Sequence, residues 1–432
     1  MKNKFLLLLF LLLGNFCASA NELAIGVGVH FGYGVTYGDL FSKWMDAAKL
    51  THARDEILWR DVEAKPGEFS LRGGGDNANN FFTKQKSITP TLILAYGNKN
   101  YDGGGFPVST TAINSFVSYS KWIEKLTKGY ANTYELWNEW NLGAGSFPRE
   151  RYGAPADYVK LASHVYPALK SRNPDAKILV GAVGQEYPEW KWIKKAIEFG
   201  LLNYADGISV HLYNHCDLPN VGSDKAIKQL DSLKLWIKNN YDKDIPIYVT
   251  EFGWPNDIGP CGVNEHDSAI HTLRFLLEVS KRDWVKGVWI YEFMDSGDDK
   301  LNREHNFGLH RRDGSEKFAG CIVRNFGKIV AGRPYFQTVD KGINASVYRY
   351  EGDTYFFYWV ANPIVNKKYP LPEYSFLKGG VAVPLCDSNF DQERKDAKYW
   401  SVHGREPLVI KRTGEVEISN MKIGGGDALN IR

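Results

Sequence analysis

The feature that most constrains this chain is an eightfold alternation between short, β-branched apolar segments and longer stretches with helical period. It runs from residue 24 to about residue 332 and is typical of parallel β-α units. The predicted strands are Ala24–Phe31, His52–Val62, Pro90–Tyr96, Tyr134–Asn138, Lys177–Val183, Gly207–Tyr213, Pro246–Glu251 and Gly287–Phe293. The predicted helices include Ala112–Lys128, Ala154–Lys170, Trp190–Leu202, Asp224–Asn240 and Asp267–Lys281. Eight such units close a barrel, so we predict an α/β fold with a (β/α)8 TIM barrel over residues 21–334.

Beyond residue 335 the pattern changes to short alternating strands separated by turns. Ser346–Tyr350 and Thr354–Val360 flank a predicted turn at residues 351–353, and Leu408–Ile410 and Val416–Ile418 follow. This region has no clear helical stretch, and no low-complexity linker precedes it. We therefore predict a small antiparallel, β-sandwich-like accessory domain over residues 335–432, with a fixed interface to the barrel.

The first residues predict a signal peptide over residues 1–20. A basic start precedes the apolar run Phe5–Leu13, and small residues at Ala18 and Ala20 fit cleavage after Ala20. A membrane anchor is disfavoured because a span takes about 20 apolar residues. Lipidation at Cys17 is disfavoured because large residues stand before it. We expect a secreted or periplasmic protein.

Charge and composition narrow the function. The formal net charge is only +3, with basic and acidic residues interspersed, so we expect no nucleic-acid partner. No later stretch of sequence is apolar enough to predict a membrane span, and we expect a monomer. Aromatic residues make up 14% of the chain and include 13 tryptophans. Such rings are platforms for sugar faces, although many also serve as core packing.

Two predicted strand ends carry carboxylates that suit glycoside hydrolysis. Asn138-Glu139 ends the fourth strand and Thr250-Glu251 ends the seventh. Active sites of (β/α)8 barrels lie at the carboxyl ends of the strands, and strands four and seven lie on opposite sides of the mouth. Glycoside hydrolysis requires two carboxyl groups that flank a sugar, so Glu139 and Glu251 are the candidate catalytic pair. For Glu63, Glu135 and Glu292 we predict roles as ion-pair partners.

Other functions find less support. His211 and His215 are four residues apart, but they lie on a predicted strand and its loop, where this spacing does not form a helical metal pair. No Gly-x-Ser-x-Gly elbow suggests a serine triad. A non-catalytic carbohydrate-binding barrel remains the rival from another class, yet such a protein would not need both carboxylates. We predict no metal and no organic cofactor.

Asn138-Glu139 after strand four, together with Thr250-Glu251-Phe252-Gly253 after strand seven, resembles the retaining glycoside hydrolases of clan A. Further matches are Arg54 on strand two, Trp59, Val62-Glu63 and Gly67 after it, and His211-Leu212-Tyr213 on strand six. The resemblance is closest to family 39 and its bacterial relatives that cut exopolysaccharides. It implies that Glu139 is the general acid/base and Glu251 the nucleophile. The sequence leaves xylosidase, mannanase, glucanase and exopolysaccharide endoglycosidase open.

The resemblance also suggests roles around the nucleophile. Asn138 can donate to the sugar 2-hydroxyl. Arg54 is expected beneath Glu251, where a cation keeps the carboxyl ionised, or in ion pairs that close the barrel. Tyr213 is placed to hydrogen-bond Glu251. Because Asn138 and Glu139 are neighbours, they cannot both point inward from a regular strand, so the strand must bulge or end there.

Other residues have a site role and a packing role as alternatives. His211 either supports Glu139 and the sugar or is a hydrogen-bonded core residue. Trp289 or Tyr291 on strand eight is expected to form a stacking floor for the sugar, or to pack in the core. Predicted ring contacts along an open groove are Trp140, Phe147 and Trp254, with glycine-rich loops at residues 73–75 and 103–105. This rim motivates the prediction of an endo-acting enzyme that cuts a bacterial polysaccharide; an exo-acting, xylosidase-like enzyme is the alternative.

Four cysteines remain after the predicted cleavage site, and four cysteines allow three pairings. Cys216 and Cys261 follow strands six and seven, whose loops are neighbours in a barrel, so we predict a disulfide between them. We predict that Cys321, in the last barrel helix, and Cys386, in the accessory domain, are buried free thiols.

Overall fold

The structure is a computed structural model that describes residues 22–146, 152–184, 189–217, 221–340, 342–360, 367–370, 379–386, 401–403, 406–414 and 416. The predicted signal peptide and Phe147 lie outside these residues. Within them, no helix is both long and apolar enough to cross a membrane.

Eight parallel strands close a barrel in the order of the chain, which confirms the predicted fold. They are β1 (Ala24–Gly28), β2 (His52–Glu56), β3 (Thr89–Leu94), β4 (Thr133–Leu136), β5 (Lys177–Val183), β6 (Gly207–Leu212), β7 (Ile247–Phe252) and β8 (Val285–Ile290). Closure occurs at β1, where Gly26 pairs with His52 on one side and with Trp289 on the other. The strands are buried almost throughout because helices cover them outside and side chains fill the barrel inside.

Helices alternate with the strands around the outside of the barrel. In the described ranges they are α1 (Leu40–Ala48), α2 (Trp59–Val62), α3 (Gly74–Lys84), α4 (Thr110–Thr127), α5 (Pro155–Lys170), α6 (Lys191–Glu198), α7 (Ser223–Tyr241), α8 (Glu265–Ser280) and α9 (Phe318–Ala331). Serine and asparagine caps begin two of them: Ser109 accepts from the Ala112 amide at α4, and Asn264 accepts from the Asp267 amide at α8.

Two predicted boundaries near strand two were wrong. The strand stops at Glu56, and Trp59–Val62 forms the short helix α2 instead of continuing the strand. The glycine-rich segment at residues 73–75 begins α3 and is not a long loop. A Cβ atom at Gly74 would collide with the backbone of Gly32, so glycine here permits close helix packing.

The C-terminal region forms antiparallel sheet. Its strands are β9 (Phe336–Asp340), β10 (Ile343–Tyr350), β11 (Asp353–Val360), β12 (Lys368–Pro370), β13 (Val381–Val383), β14 (Ser401–His403) and β15 (Leu408–Arg412). Five of them form one sheet in the order β13-β15-β11-β10-β9, and β12 pairs with β14. The predicted turn joins β10 to β11, and Glu351 and Gly352 both have positive φ, 49° and 81°, as a tight hairpin requires.

This sheet packs directly on the barrel helices. The Ser280 hydroxyl at the end of α8 lies 2.8 Å from the Tyr348 hydroxyl on β10, and Arg274 on α8 donates to the Val360 carbonyl at 2.8 Å. Tyr348 and Trp359 belong to the same apolar core as the barrel. The barrel and the sheet therefore share one continuous core.

The prediction of free thiols at Cys321 and Cys386 was wrong, because the structure joins them in a disulfide. Cys321 lies on α9. The neighbouring Asn325 donates from its amide to the Leu385 carbonyl at 3.1 Å. The segment that carries Cys386 is therefore anchored on α9, which brings the two sulfur atoms within bonding distance.

Candidate active site

A cavity of about 260 Å3 opens at the carboxyl ends of the barrel strands, and both predicted catalytic carboxylates line it. Of the other predicted site residues, the lining includes Arg54, Asn138, Tyr213 and Tyr291. The cavity lies where the barrel fold places catalytic groups.

The chain after β4 leaves the sheet in a way that turns two neighbouring side chains toward the cavity. The strand ends at Leu136, and Trp137 and Glu139 then adopt positive φ values of 62° and 48°. The Glu139 amide donates to the Ala182 carbonyl at 2.9 Å. This is the predicted end of regular strand geometry, and it allows both Asn138 and Glu139 to line the cavity.

Arg54 connects three side chains below the cavity. Its Nη1 donates to Glu251 Oε1 at 2.6 Å and its Nε to Glu135 Oε2 at 2.6 Å. Its Nη2 donates to the side-chain oxygen Oδ1 of Asn138 at 2.8 Å. The guanidinium thus has the contacts expected for both predicted roles, an ion pair with Glu251 and a buried ion pair with Glu135. Its contact with the Asn138 oxygen directs the NH2 group of that amide elsewhere.

Glu251 is buried and held on both oxygens. Tyr213 donates its hydroxyl to Oε2 at 2.7 Å, opposite the Arg54 contact on Oε1. Burial alone would raise the pKa of Glu251. The charges of His211 and Arg54 and the Tyr213 hydrogen bond outweigh that cost, so the pKa lies below its ordinary value. Glu251 is therefore ionised at neutral pH.

His211 lies between the two candidate catalytic groups. Its Nδ1 is 3.0 Å from Glu139 Oε1 and 3.5 Å from Glu251 Oε2. Burial lowers the pKa of His211. The charge of Glu251 and the hydrogen bond to Glu139 raise the pKa by more than burial lowers it, so the net shift is upward. A carboxylate oxygen of Glu139 and one of Glu251 lie within 4.8 Å of each other and of a His211 ring nitrogen. Of the two predicted roles for His211, support of Glu139 is the one that its contacts match.

The same three residues are the set in the described chain that could hold a metal ion, since their nitrogen and carboxylate oxygens could converge on one point. Arg54 and Tyr213 already occupy both oxygens of Glu251 with hydrogen bonds. A cation at this point would also face the fixed charge of Arg54. The arrangement favours a carboxylate used in chemistry over one used as a ligand.

Two of the aromatic residues predicted to line an open groove do not reach the cavity. Trp140 is fully buried and stacks on Phe106 with ring centroids 4.0 Å apart. Trp254 is buried and donates its indole N–H to Asn214 at 3.1 Å. The sequence showed that these rings lie near the strand ends but not which way the turns direct them.

Trp289 also lies elsewhere. It is buried beside Tyr248 and lines a second cavity at the amino ends of the strands. A Cβ atom at Gly26 would collide with the indole, so the glycine gives the ring its room inside the barrel. Trp289 thus points into the barrel, but in a layer closer to the amino ends of the strands than the candidate site. Of the two candidates on strand eight, Tyr291 lines the site cavity.

Sequence reasoning missed several lining residues. His30 follows β1, Tyr96 follows β3, and Phe307 lies beyond β8 beside Arg303 and Glu304. Glu56 also lines the cavity, and its position two residues after Arg54 on β2 was a usable signal, because alternate residues share one face of a strand.

The acidic residues predicted as ion-pair partners have two kinds of contact. Glu135 pairs with Arg54, and Glu292 lies 2.9 Å from His30 Nε2. Glu63 instead accepts hydrogen bonds from the Trp59 indole at 2.6 Å and the Gly67 amide at 2.7 Å. Glu63 thus fixes the turn after α2 through hydrogen bonds, and the predicted ion pair is not found among the described residues.

The predicted disulfide between Cys216 and Cys261 is present. It joins the loops after β6 and β7 beside the cavity. Arg303 Nη1 lies 3.6 Å from Cys216 Sγ, so the bridge also contacts the segment after β8. The loops after β6, β7 and β8 therefore meet at this disulfide, and the first and third of them line the cavity through His215 and Arg303.

The sequence matches no protein-family model and no curated protein. The three-dimensional fold does have relatives. A family 39 glycoside hydrolase from the gut symbiont Bacteroides cellulosilyticus WH2 is similar with a TM-score of 0.72 and 21% identity, covering 90% of this chain and 81% of that chain. A monomeric beta-xylosidase from Caulobacter crescentus CB15 gives 0.59 and 13% over 90% and 96%. A GH5_18 protein from Streptomyces cattleya, solved with GlcNAc, gives 0.58 and 13% over 74% and 84%. At these identities the likeness establishes a shared fold.

Proposed function

We propose that this chain is a retaining glycoside hydrolase in which Glu139 is the general acid/base and Glu251 the nucleophile. One observation carries the proposal: two carboxylates at the mouth of the barrel have oxygens within 4.8 Å of each other. Carboxyl groups of retaining enzymes are about 5–5.5 Å apart, whereas inverting enzymes leave about 6.5–9.5 Å for a water molecule. The fold shared with glycoside hydrolases of families 39 and 5 supports the same reaction class.

The first step breaks the glycosidic bond and forms a covalent sugar ester. A Glu251 oxygen attacks the anomeric carbon while protonated Glu139 gives its proton to the departing oxygen. The leaving group takes the electron pair of the broken bond together with that proton. In the second step Glu139 accepts a proton from water while the water oxygen attacks the anomeric carbon. The bond between that carbon and the Glu251 oxygen breaks, and its electron pair restores Glu251 as a carboxylate.

The surrounding residues divide the work of holding these groups. Arg54 and Tyr213 fix the two oxygens of Glu251 and keep it ionised. His211 donates from Nδ1 to Glu139 and so orients the acid/base. Arg54 turns the Asn138 amide so that its NH2 group is available to the sugar 2-hydroxyl, an interaction that strengthens in the transition state. Tyr291 supplies the aromatic wall.

The mode of cleavage has two candidates. The endo-acting prediction, on a bacterial exopolysaccharide, depends on the glycine-rich segments at residues 73–75 and 103–105 and on three rings. Of these rings, Trp140 and Trp254 are buried and Phe147 lies outside the described residues. The cavity of about 260 Å3 is at the lower end of small-molecule sites, about 300 Å3. A site of this size favours the second candidate, an exo-acting, xylosidase-like enzyme that holds a terminal sugar.

We further propose that the protein works as a monomer outside the cytoplasm. Both disulfides would form and persist in an oxidising compartment, and the predicted signal peptide agrees with this location.

Hydrolysis of a glycan panel, followed by chromatography of the products and NMR of the anomeric proton, tests the proposal. Retention means that the first product has the anomeric configuration of the substrate. Inverted product would overturn the mechanism, and no turnover on any glycan would overturn the reaction class. Oligosaccharides that appear early with a rapid fall in polymer length indicate endo action, and monosaccharide alone indicates exo action.

A further inference from the structure

The hydrogen-bond ladder between β4 and β5 opens just before the candidate acid/base. At its start the Lys177 amide donates to the Asn132 carbonyl at 2.8 Å, and a parallel ladder repeats this contact at every second residue. Regular pairing would therefore join the Gly181 amide to the Leu136 carbonyl. The paired residues of β4 and β5 end before this point, so the two backbone groups need other partners.

The hydroxyl of Tyr158 fills this opening. It donates to the Leu136 carbonyl at 2.8 Å and accepts from the Gly181 amide at 2.7 Å. Tyr158 lies on α5 and is fully buried, and its ring contacts those of Trp140 and Trp192 with centroids 5.4 and 5.3 Å apart. Because one side-chain group stands between the two strands, the chain after Leu136 leaves the sheet without orphaning either backbone group.

A second hydroxyl holds a bulge in β5. The pairing between β5 and β6 shifts its register between Gly181 and Val183, so Ala182 is the extra residue of the bulge, with a φ of 43°. A non-glycine residue keeps such a φ only when its surroundings hold it. The hydroxyl of Ser209 on β6 accepts from the Ala182 amide at 2.9 Å. The carbonyl of the same residue accepts from the Glu139 amide at 2.9 Å, so the bulge connects Ser209 to the candidate acid/base.

The chain just beyond the acid/base is tied to β5 as well. The side chain of Asn141 accepts from the Gly184 amide at 3.2 Å and donates to the Gly184 carbonyl at 2.8 Å. Tyr158, Ser209 and Asn141 are at most 4% exposed, and none of them is among the described residues that line the cavity. They can therefore influence the chemistry only through the backbone.

We propose that Tyr158 and Ser209 are positioning residues for the acid/base Glu139. The Tyr158 hydroxyl keeps β4 and β5 apart where the chain must turn into the cavity. The Ser209 hydroxyl fixes the Ala182 carbonyl, to which the acid/base is bound through its backbone. This inference rests on the proposed function, because it assigns these hydroxyls to the general acid/base of a glycosidase.

The other groups of the site are held from elsewhere. Arg54 donates to both Glu251 and Asn138, and neither contact passes through β5. His211 contacts only the end of the Glu139 side chain, so it does not replace the backbone anchor. Loss of either hydroxyl should therefore displace the acid/base and leave the nucleophile in place.

The dependence of the rate on the leaving group tests the proposal. Tyr158→Phe removes the hydroxyl and keeps the ring. We expect kcat/KM to fall about tenfold on glycans whose leaving group needs a proton, and about twofold or less on aryl glycosides whose leaving group needs none. Ser209→Ala should show the same split. A smaller fraction of folded protein would lower both values equally, so equal losses on the two substrates in both variants would overturn the proposal.

Tyr134→Phe and Ser120→Ala are the matched controls. Each removes a buried hydroxyl that contacts α4 and not β5: the Tyr134 hydroxyl lies 2.8 Å from Thr127 Oγ1, and Ser120 donates to the Phe116 carbonyl at 2.8 Å. We expect the ratio of kcat/KM on the two substrates to stay within twofold of wild type. A tenfold change of this ratio in the controls would contradict the assignment to the hydroxyls between β4, β5 and β6.

Hydrogen–deuterium exchange separates this proposal from the proposed function, because it requires no turnover. We expect the backbone amides of residues 137–141 and 180–184 to exchange about tenfold faster in Tyr158→Phe than in wild type, and at the wild-type rate in Tyr134→Phe. Faster exchange in a protein that hydrolyses no glycoside keeps the network and refutes the glycosidase. Unchanged exchange in Tyr158→Phe and Ser209→Ala, in an enzyme that hydrolyses glycosides, keeps the glycosidase and refutes the positioning role.

Discussion

At the scale of single residues, Glu251 meets two requirements that oppose each other. A nucleophile gains reactivity when it is removed from water, but burial favours its protonated form. Arg54 and Tyr213 resolve the conflict because each hydrogen-bonds a different oxygen. Glu139, with 21% of its side chain exposed, faces the cavity, where in the proposed mechanism it exchanges protons with the leaving group and then with water. The two carboxyl groups thus differ in environment, as their two roles require.

Replacement of either carboxyl group separates the two roles. Glu139→Gln removes the acid, so kcat on substrates with poor leaving groups should fall about 10²–10⁴-fold, with a smaller loss in formation of the covalent intermediate from activated aryl glycosides. Glu251→Gln removes the nucleophile and should abolish turnover on both. Steady-state kinetics on the two substrate types provides the comparison. Equal losses on activated and natural substrates in Glu139→Gln would show that the roles are assigned wrongly.

In the proposed mechanism, Arg54 sets the pH at which the Glu251 nucleophile is ionised. Glu251 must be ionised, and its pKa lies below the ordinary value, partly because of the Arg54 charge. On the acid side, activity therefore falls as the pH drops through that low pKa. In Arg54→Gln the pKa of Glu251 rises, so the acid limb of the kcat/KM profile should move to higher pH by about one unit.

Arg54→Lys is the matched control for that experiment. It keeps the positive charge but has fewer donors, so its acid limb should stay close to wild type while activity falls. An unchanged acid limb in Arg54→Gln would refute the electrostatic role. Thermal melting of both variants reports the separate cost of leaving Glu135 buried without a partner, about 3–5 kcal/mol.

The two carboxylates were predictable from sequence because each follows an apolar strand, and the ends of such strands meet at one mouth. The sequence did not predict the positions of three tryptophans, because the direction of a ring depends on local turns and on the layer of the barrel that it fills. These are Trp140, Trp254 and Trp289. Glu56 and His30 also escaped notice. The sequence shows only that these two residues lie beside the ends of strands, and many residues without a role in an active site lie there too.

At the scale of elements, the alternation of strands and helices predicted the barrel because the two hydrophobic periods differ clearly. Boundaries were harder: the predicted strand at residues 52–62 continues into α2, since Ile57 and Leu58 extend the apolar run past the true end of β2. Lys177–Val183 matched in full. The end of β5 also contacts a candidate catalytic group, because Gly184 packs against the Glu139 carboxylate.

Gly184→Ala tests how closely β5 positions the acid/base. A Cβ atom there would overlap Glu139 Oε1 and lie 3.0 Å from Leu142, so the carboxylate must move. Because a small misplacement of a catalytic group has a large effect, we expect kcat to fall about 10²-fold while the melting temperature changes by only a few degrees. Kinetics and thermal melting on the same samples distinguish the two effects.

Gly332→Ala is the control for this substitution. Its nearest atom would lie 3.4 Å from the new Cβ, and it is far from the cavity at the end of α9, so activity should be unchanged. Wild-type kcat in Gly184→Ala would show that Glu139 tolerates displacement and that β5 has no positioning role.

At the scale of the whole molecule, the barrel and the C-terminal sheet behave as one body with shared core residues. The sequence predicted a fixed interface but could not predict the disulfide between Cys321 and Cys386. That pairing depends on how the segment at residues 385–386 docks on α9, which no periodicity encodes. The disulfide between Cys216 and Cys261 was predictable, because the loops that follow two neighbouring strands of a barrel lie side by side.

The two disulfides should therefore have different effects when removed. They close loops of similar length, with sequence separations of 45 and 65 residues, so the double serine variant of either pair should lose about 2–4 kcal/mol of unfolding free energy. Only Cys216→Ser with Cys261→Ser loosens the wall that contains Arg303, and we expect KM to rise several-fold in that variant. Cys321→Ser with Cys386→Ser should keep the wild-type KM and kcat at 25 °C, because its bridge fastens the sheet to α9 and does not contact the cavity.

Chemical denaturation of both variants measures the loss of unfolding free energy, and steady-state kinetics measures the change in KM. A raised KM in the Cys321 and Cys386 variant would mean that the sheet shapes the active site through the barrel, and unchanged KM in both would remove the loop-bracing role of the first bridge.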